Sequence, residues 1–335
     1  MGKYADQYPH SSRSYGAFGR DFILHAAKEK KPFCLSISFK APHKPDQVDP
    51  LFNDVYAGKK FKKPANYGRE FSTQFSRQSK TGRQYDRFES WGYKDDYDNQ
   101  MRLYHQLVHA VDSAVGMIRQ AVEDAEVADN TVIIFTSDNG FFCGAHGYGS
   151  KVLPYEEGSR VPLIIYDPRH ENSGKQLRVE SITGSIDFAP TILQLAGLKA
   201  PRGIDGRDLM PLYKDPESSI HKYLELINVW GPRSCQSYGV VGQDYKYIYW
   251  PYETGDYEAT EELFKISDDP LELKNLVISQ SAPAALQSLR KVYDARVKKW
   301  RTQNVDYNDY APYGKIFDRS IPWTPSFAPG EPAWR

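Results

Sequence analysis

Hydrophobic side chains recur with alternating helical and strand periods through the first half of the chain. Residues 18–29 carry apolar side chains on one helical face, and the apolar run at 33–39 predicts a strand. The strongest helical period extends from about residue 99 to 124, and the β-branched run at 131–135 is typical of a buried strand. A further strand is expected at 161–166. Strands that alternate with helices predict an α/β fold in which helices flank a layered sheet.

A smaller unit with a different pattern follows residue 215. Residues 238–250 and 262–266 predict neighbouring strands, and residues 283–301 predict one helix that packs on them. We expect the inward face of this helix to hold Leu286, Leu289, Val292, Tyr293, Val297 and Trp300. The last residues are rich in Pro, Tyr and Trp without a period, and we interpret them as a tail laid over the surface. The predicted divisions are therefore 1–215, 216–306 and 307–335.

The balanced charge of the chain does not indicate a polyanionic partner such as nucleic acid. Lys plus Arg and Asp plus Glu number 43 each, so no net field favours nucleic acid or an anionic membrane. No stretch is long and apolar enough to span a bilayer, and the first residues lack the apolar core of a signal peptide. Three cysteines without a C-x-x-C spacing are too few for a disulfide framework, and the redox compartment stays open. Any recognition of anions must therefore be local.

Asp138, Asn139 and Gly140 follow the apolar run at 131–135 after Thr136 and Ser137. In open α/β sheets ligands bind at the carboxyl edge of the strands, which makes this position a candidate site. A carboxylate beside an amide oxygen suits a hard cation, and Gly140 is expected to allow a sharp turn that points both groups at it. The same residue types also form ordinary turns, so the motif alone leaves both interpretations open.

Three polar side chains share one face of the helix at 99–124. His105, His109 and Asp112 stand at i, i+4 and i+7, a spacing that suggests zinc. The zincin pattern requires Glu directly after the first His, however, and Gln106 occupies that position. Because the apolar stripe is adjacent, we expect these side chains to serve packing and hydrogen bonding.

Three ordered segments carry a resemblance to a known family. They are the strand that ends in Ala41-Pro-His-Lys-Pro45, the strand end Ile134-Phe-Thr-Ser-Asp-Asn-Gly140, and Lys151 followed by Tyr155-Glu-Glu-Gly-Ser-Arg-Val-Pro-Leu-Ile164. Together they resemble the type I sulfatases of the alkaline phosphatase superfamily, over about residues 17–302. The resemblance implies an alkaline-phosphatase-like mixed sheet flanked by helices, incomplete here, and a small C-terminal α+β subdomain with antiparallel strands and one packing helix. Residues 1–215 then correspond to the C-terminal portion of the catalytic domain.

The resemblance also implies roles for four residues. Asp138 and Asn139 are the counterparts of calcium ligands, His43 is the candidate general acid or sulfate ligand, and Lys151 is the counterpart of a lysine that contacts the sulfate. These roles are physically reasonable, because a cation and a fixed ammonium stabilise charge on the sulfuryl oxygens and an imidazole can protonate the departing alkoxide. We expect the four side chains to converge in one cleft.

His146 and Arg160 are candidate substrate-binding residues. His146 lies between the metal motif and Lys151, where a substrate contact and a purely local role in the loop are equally compatible with the sequence. Arg160 either binds substrate or pairs with Glu156 or Glu157 on the surface. Both pairs of interpretations stay open.

The chain also departs from the family pattern. The family's nucleophile is a formylglycine made from the first residue of C/S-x-P/A-x-R, and no cysteine here begins that pattern. The family's amino-terminal Asp-Asp metal pair and a Lys-x-His segment are absent too. Two ligands are few for an ion that takes about 6–8 oxygens, so we expect weak calcium binding and no hydrolysis by this chain alone, as for a truncated form. The family is commonly periplasmic, secreted or lysosomal, which leaves the localisation open.

The implied partner is a sulfated small molecule or glycan. The stretch from about residue 58 to 97 has no apolar period, and its cations are interleaved with aromatic residues. Such a composition suits a sulfated sugar, because ammonium and guanidinium groups pair with sulfate. A merely solvated loop also explains the length and polarity of the stretch, so both interpretations stay open.

Two other functions are compatible with the sequence. One is hydrolysis of a phosphate or phosphonate ester by a member of the same superfamily. Members with two metals usually present Asp-His where this chain has Asp138-Asn139, which favours a single hard cation here. The other is a non-catalytic protein that binds sulfated glycans and keeps the cleft without the chemistry.

Overall fold

The computed structural model describes residues 2–303, 305 and 309–324, and the chain forms two compact units. The first unit comprises residues 1–63, 95–135 and 164–176, and the second comprises residues 64–94, 136–163 and 177–335. The divisions predicted after residues 215 and 306 stay a prediction. Residues 307, 308 and 325–335 of the predicted tail lie outside the described residues.

The secondary structure of the described chain consists of helices and short strands. The α-helices are α1 (Gly2–Ala5), α2 (Ser11–Lys28), α3 (Arg83–Ser90), α4 (Tyr97–Asp124), α5 (Glu156–Ser159), α6 (Phe188–Leu195), α7 (Met210–Lys214), α8 (Leu276–Ser279), α9 (Pro283–Gln303) and α10 (Tyr313–Ile316). The strands are β1 (Ile133–Thr136), β2 (Leu163–Tyr166), β3 (Leu224–Asn228), β4 (Ser237–Val241), β5 (Lys246–Trp250) and β6 (Thr260–Phe264). Within these bounds, no helix combines the length and apolarity that crossing a membrane requires.

Helices α2 and α4 pack closely in the first unit. A Cβ added at Gly16 would lie 3.0 Å from the Cα of Ala114, so glycine allows the two backbones to approach this closely. Both helices predicted from the apolar period are confirmed. Helix α2 begins earlier than predicted because the His10 side chain accepts a hydrogen bond from Ser12 N at 3.3 Å and caps the first turn.

The two histidines on α4 pack against aromatic rings. His105 stacks on Phe61 with ring centroids 4.9 Å apart, and His109 meets Phe52 edge-on at 4.7 Å. Burial lowers the pKa of His105, as expected for an imidazole in an apolar contact. Among the described residues there is no group of three or more His, Cys, Asp or Glu that could hold a metal ion. The packing interpretation therefore accounts for this helical face better than zinc does.

The prediction of a strand at 33–39 is wrong, because these residues form no strand in the described chain. Half-buried side chains do alternate with exposed ones along these residues, as the apolar pattern predicts. Phe33 and Leu35 pack against the cluster of Ile23, Ala121 and Val122. The described chain supplies no hydrogen-bonded partner for this segment, however, and a strand is defined by its ladder.

Strands β1 and β2 form a two-stranded sheet, which confirms the strands predicted near 131–135 and 161–166. The expected full burial of the first strand is wrong, because all four residues of β1 are only half-buried. In β2, Ile164 and Tyr166 are 60% and 43% exposed. A sheet of two strands has an edge on each side, so its side chains lack the neighbours that would cover them.

Strands β3 to β6 form an antiparallel sheet in the order β3-β4-β5-β6, which confirms the predicted antiparallel subdomain. The run predicted as one strand at 238–250 contains two. Gly242 N donates to the Tyr245 carbonyl at 2.8 Å and closes a turn between β4 and β5. The sequence pattern also does not predict β3, which pairs with β4 at the edge of the sheet.

Helix α9 packs on this sheet as predicted, with Leu289, Tyr293 and Val297 buried in the core. The expectation that the tail lies over the surface is wrong for residues 309–324. Ile316 and Phe317 are buried in the same core, and Tyr293 Oη donates to the Phe317 carbonyl at 2.7 Å. Two adjacent buried side chains in one short helix are too few to produce a period in the sequence.

Residues 64–94 are folded in the second unit, so the interpretation of a merely solvated loop is wrong. They contain α3 and the short 3₁₀ segments Arg69–Ser72 and Arg77–Thr81. Phe75 and Phe88 are buried, and Ser79 is fully enclosed. Single buried side chains at irregular intervals hold the segment, which explains why no apolar period is visible.

Candidate active site

The loop after β1 leaves two oxygen atoms available to a cation. Asp138 Oδ1 accepts a hydrogen bond from Asn139 N at 2.9 Å, and Asn139 Nδ2 donates to the Gly140 carbonyl at 2.7 Å. Within the described chain, the second carboxylate oxygen of Asp138 and the amide oxygen of Asn139 accept no hydrogen bond. Both are hard oxygen ligands of the kind that Ca²⁺ takes. The predicted pair therefore fits part of a calcium site.

Gly140 is needed for close packing rather than for a sharp turn. Its φ lies outside the left-handed region, so the turn predicted at this glycine is corrected. Its backbone N donates to the Gly158 carbonyl at 3.1 Å. A Cβ at this position would lie 2.1 Å from the Glu157 carbonyl oxygen and 2.9 Å from that of Arg160. The candidate metal loop thus lies directly against the backbone of α5 and the residue after it.

Substitution Gly140→Ala is expected to displace this loop, because the added methyl group overlaps a carbonyl oxygen that belongs to the backbone and cannot rotate away. We expect a loss of about 1–3 kcal/mol in the free energy of unfolding, the usual cost of overpacking. Chemical denaturation measures it. Gly116→Ala is the matched control, since no atom lies within 4 Å of the position that its added Cβ would take and the change favours a helix interior. Equal stability of both variants would contradict the packing argument.

Lys151 stands on a loop that is closed by a hydrogen bond from Phe142 N to the Ser150 carbonyl at 2.9 Å. Its neighbours Ser150 and Val152 have φ values of +70° and +80°, which are unfavourable for residues with a side chain and most so for β-branched valine. Such a backbone persists only where the surroundings fix it. The Lys151 side chain is half-buried, and no described residue pairs with its ammonium group. The loop therefore presents a cation without an internal anion.

A buried ion cluster fixes the start of α5, shortly after Lys151. Lys246 Nζ lies 2.5 Å from Glu156 Oε1 and 2.8 Å from Glu272 Oε1, and Glu156 N donates to Glu272 Oε2 at 2.7 Å. Lys246 and Glu272 are fully buried. Burial lowers the pKa of Lys246, but Glu272 and Glu156 outweigh it and leave this pKa raised. We call Lys246, Glu156 and Glu272 the Lys246 cluster. Burial raises the pKa of Glu272 to about 7; the Lys246 ammonium opposes this rise, and the Glu156 and Glu157 carboxylates add to it.

A second buried acid, Glu262, binds the residue before Glu156. Tyr155 Oη donates to the two carboxyl oxygens of Glu262 at 3.0 and 3.1 Å. Ser76 N and Trp250 Nε1 donate to the same group at 2.5 and 3.0 Å. Burial raises the pKa of Glu262 to about 7, against the opposing effect of these donors. Two buried acids thus tie the segment after Lys151 to strands β5 and β6.

His146 is fully buried at the turn that precedes Lys151. Its Nδ1 lies 3.1 Å from the Phe71 carbonyl oxygen, and its Nε2 lies 2.8 Å from Asn66 Nδ2. Burial lowers the pKa of His146, but Glu157, 3.5 Å away, outweighs it and leaves the pKa raised. Because both ring nitrogens have partners inside the protein, the geometry favours the local role in the loop over a substrate contact.

Arg160 lies on the surface at the end of α5. Its side chain is 73% exposed, and its Nη1 lies 3.6 Å from Glu156 Oε2. This agrees with the ion pair that the sequence offered as one interpretation. An ion pair so exposed contributes little to stability, and the guanidinium stays accessible to a ligand. Substrate binding by Arg160 stays a prediction.

His43 lies in the first unit, whereas Asp138, Asn139 and Lys151 lie in the second. The His43 side chain is exposed, and its Nδ1 is 2.7 Å from the Lys44 carbonyl oxygen. An exposed imidazole is accessible to a substrate. The predicted convergence of the four side chains in one cleft stays a prediction.

Two family models match the chain and identify its protein family. A model described as sulfatase matches residues 2–198, more than half of the chain. The chain belongs to the sulfatase family. A second model, described as N-sulphoglucosamine sulphohydrolase, C-terminal, matches residues 144–303 and so covers the antiparallel sheet and α9. Sulfatases generally use calcium and a formylglycine.

Relatives of this sulfatase chain are longer proteins. The N-acetylglucosamine-6-O-sulfatase of Bacteroides thetaiotaomicron is 29% identical over 218 residues, which are 63% of this chain and 38% of that protein. An arylsulfatase of Clostridium perfringens is 26% identical over 307 residues, or 86% of this chain and 57% of that protein. This sulfatase chain thus spans less than two thirds of the length of these curated relatives.

Solved structures confirm the predicted alkaline-phosphatase-like fold for the sulfatase chain. A protein in complex with its substrate D-glucosamine-2-N,6-O-disulfate superposes with a TM-score of 0.66 at 23% identity, over 88% of this chain and 71% of that one. The phosphonate monoester hydrolase of Agrobacterium radiobacter superposes with a TM-score of 0.67 at 25% identity, over 84% of this chain and 60% of that one.

The sequence pattern does not predict the buried charged residues of the sulfatase chain. Lys246 opens an apolar strand, and Glu262 and Glu272 lie in an acidic stretch, so each resembles an exposed residue near a strand end. One signal was available for Lys246. It stands two residues before Ile248 and four before Trp250, so it shares the face of two large apolar side chains. A charged residue on an apolar face indicates a buried partner of opposite charge.

Proposed function

We propose that this sulfatase chain serves the hydrolysis of a sulfuric ester in a sulfated carbohydrate or aryl sulfate. The observation that carries the proposal is the Lys151 ammonium, which has no acidic partner in the described chain although the Lys246 cluster fixes the segment beside it. A cation that stands on a fixed backbone and has no described acidic partner is suited to bind an anion. Relatives that span this segment are described as sulfatases.

Each candidate residue has a distinct role in this proposal. Lys151 binds the sulfate and stabilises negative charge on its oxygens during transfer. His43 protonates the oxygen of the leaving alcohol. Asp138 and Asn139 hold a calcium ion through the two oxygens that accept no hydrogen bond within the described residues. When bound, the ion supplies additional positive charge to the sulfuryl oxygens.

Turnover also requires a nucleophile that this sequence does not encode in the family's pattern, since no C/S-x-P/A-x-R occurs in it. We therefore propose that the chain alone hydrolyses no sulfate ester. We also propose that it binds calcium weakly, because Asp138 and Asn139 supply two of the roughly 6–8 oxygens that the ion takes.

Binding of a sulfated sugar tests the role of Lys151 without the need for turnover. We expect glucosamine 6-sulfate to bind the chain in the presence of Ca²⁺, and Lys151→Ala to weaken binding by about 10–100-fold, since a hydrogen bond to a charged group contributes about 1.5–3 kcal/mol. Isothermal titration calorimetry measures both affinities. Asp138→Ala is expected to remove the dependence on Ca²⁺. Lys298→Ala, at an exposed lysine of α9, is the control and should bind like the parent chain. Unchanged affinity of Lys151→Ala would refute the assignment.

Sulfate release tests the catalytic part of the proposal. The purified chain should release none from 4-nitrophenyl sulfate, and measurable release would overturn the claim that it is inactive alone. In a polypeptide that joins this chain to a formylglycine-bearing sulfatase segment, His43→Ala and Lys151→Ala should each lower kcat by about 100-fold or more. Parental turnover in both variants would show that these roles are wrong.

Hydrolysis of a phosphonate monoester is the second candidate function. It is favoured by the likeness to the Agrobacterium radiobacter phosphonate monoester hydrolase. In the joined polypeptide, faster release of 4-nitrophenol from its phenylphosphonate ester than from its sulfate would select this function. If the joined polypeptide bound the sulfated sugar but hydrolysed neither ester, that result would instead select a glycan-binding protein.

A further inference from the structure

Arg87 is held in place beside the loop that carries Lys151. Its Nη1 donates to Ser150 Oγ at 2.8 Å, and Ser150 is the residue directly before Lys151. The Arg87 guanidinium also lies over the Trp91 ring, 4.2 Å from the ring centroid. A guanidinium fixed by a hydrogen bond and an aromatic face loses little freedom when it binds a ligand.

The surroundings of Arg87 connect it to both parts of the candidate site. Trp91 stacks on Phe141 with an interplanar angle of 10° and ring centroids 6.2 Å apart, and Phe141 follows the Asp138-Asn139-Gly140 motif. On the other side, a Cβ at Gly149 would lie 2.7 Å from the Arg87 carbonyl oxygen. The backbone of α3 is therefore in direct contact with the Lys151 loop. All of these residues belong to the second unit.

No carboxylate of the described chain compensates the charge of Arg87. No carboxylate among the described residues pairs with Arg87 or with Arg83, one helical turn before it, and four of the five N–H groups of Arg87 donate to no described residue. Burial and the charge of Arg83 both lower the pKa of Arg87. Like charges at i, i+4 destabilise a helix. By contrast, the nearby Arg69 pairs with Glu89 at 3.2 Å.

These contacts distinguish Arg87 from an ordinary surface arginine. The chain has equal numbers of positive and negative side chains. An excess of cations therefore does not explain why Arg83 and Arg87 lack acidic partners among the described residues. The free N–H groups of a guanidinium form a planar fork that matches two oxygens of a sulfate or carboxylate. Arg87 thus lies beside the loop that carries Lys151, because its Nη1 donates to Ser150 Oγ.

We propose that Arg87, supported by Trp91 and assisted by Arg83, binds a second anionic group of the same sugar whose reacting sulfate ester is bound at Lys151. The substrate class is thus a sugar that carries at least two anionic groups. The second group is a sulfate or a carboxylate, since both present the paired oxygens that the fork requires. This inference rests on the proposed function, because it presumes the sulfate at Lys151.

Affinity for sugars of different charge tests the inference. Glucosamine 2-N,6-O-disulfate is expected to bind the chain at least about tenfold more tightly than glucosamine 6-sulfate, in line with one added charged hydrogen-bonding group. Arg87→Gln should abolish this preference and leave the affinity for glucosamine 6-sulfate within about twofold of the parent. A glucuronic acid that carries one sulfate distinguishes a carboxylate from a sulfate as the second group. Isothermal titration calorimetry at constant ionic strength provides each affinity.

Three variants separate this inference from its alternatives. Arg77→Gln is the matched control, because Arg77 also lies over an aromatic ring, that of Tyr257 at 4.9 Å, and should keep the preference. Lys151→Ala should weaken the binding of both sugars, so a failure there refutes the proposed function instead. Arg87→Lys keeps the charge without the fork and should give an intermediate preference, and the thermal unfolding midpoint verifies that each variant is folded. No preference in the parent chain, or an undiminished preference in folded Arg87→Gln, would overturn the inference.

Discussion

Replacement of Lys246 by methionine is expected to lower the free energy of unfolding by about 3–5 kcal/mol, the usual cost of removing one partner from a buried ion pair. Methionine retains most of the volume of the lysine side chain, so the loss reports the charge. Glu156 and Glu272 would face each other without the intervening ammonium, and Glu272 is fully buried. Urea denaturation followed by tryptophan fluorescence measures the change.

Two comparisons make this result specific to the ion cluster. Lys265→Met removes a lysine that pairs with Asp268 at the surface, and it should leave the stability nearly unchanged. The double variant Lys246→Met/Glu272→Gln should recover part of the loss, because one uncompensated carboxylate is then neutral. A cost for Lys246→Met no larger than that for Lys265→Met would contradict the structural role of the cluster.

The stability of the protein is expected to fall as the pH rises from about 5 to 8, and Glu262 is a main cause. Burial raises the pKa of Glu262 from 4.5 to about 7 in the folded chain. Between these values the folded state holds a proton that the unfolded state has released. This contribution is therefore complete below about pH 4.5 and is lost as the pH passes through 7. A shift of this size corresponds to about 3 kcal/mol, as an order of magnitude.

The variant Glu262→Gln isolates that contribution. It cannot titrate, so its stability should decline less between pH 5 and 8 than that of the parent, as measured by urea denaturation across this range. Part of the decline should persist, because burial also raises the pKa of Glu272 to about 7. Glu253→Gln, at an exposed position, should retain the full decline. If Glu262→Gln followed the parent's pH profile, Glu262 would have to be ionised throughout.

The elements that could be predicted from the sequence are those whose burial follows a period. Helices α4 and α9 each present an apolar stripe over several turns, so local spacing suffices to locate them. Asp138, Asn139 and Lys151 could be proposed as site residues because their motifs are short and continuous, and their roles stay a prediction. In each case the information that locates the element lies within a few neighbouring residues.

The features that escaped prediction depend on partners far away in the sequence. Glu156 contacts Lys246 and Glu272 across long stretches of sequence, and no local pattern pairs them. Residues 33–39 have the apolar alternation of a strand, but pairing depends on a second strand that local spacing does not reveal. Whether His43 joins Lys151 is likewise decided by long-range arrangement, not by either motif.

Helix α10 has a consequence for where this protein can be shortened. Its end supplies Ile316 and Phe317 to the interior beneath α9, and the Phe317 carbonyl is the acceptor for the enclosed Tyr293 hydroxyl. A polypeptide that ends after α9 would expose that interior and leave the Tyr293 hydroxyl without its acceptor. The lost hydrogen bond alone would lower the free energy of unfolding by about 1–3 kcal/mol. Ile316 and Phe317 thus belong to the core of the sheet subdomain, and a shortened version of the protein must retain them.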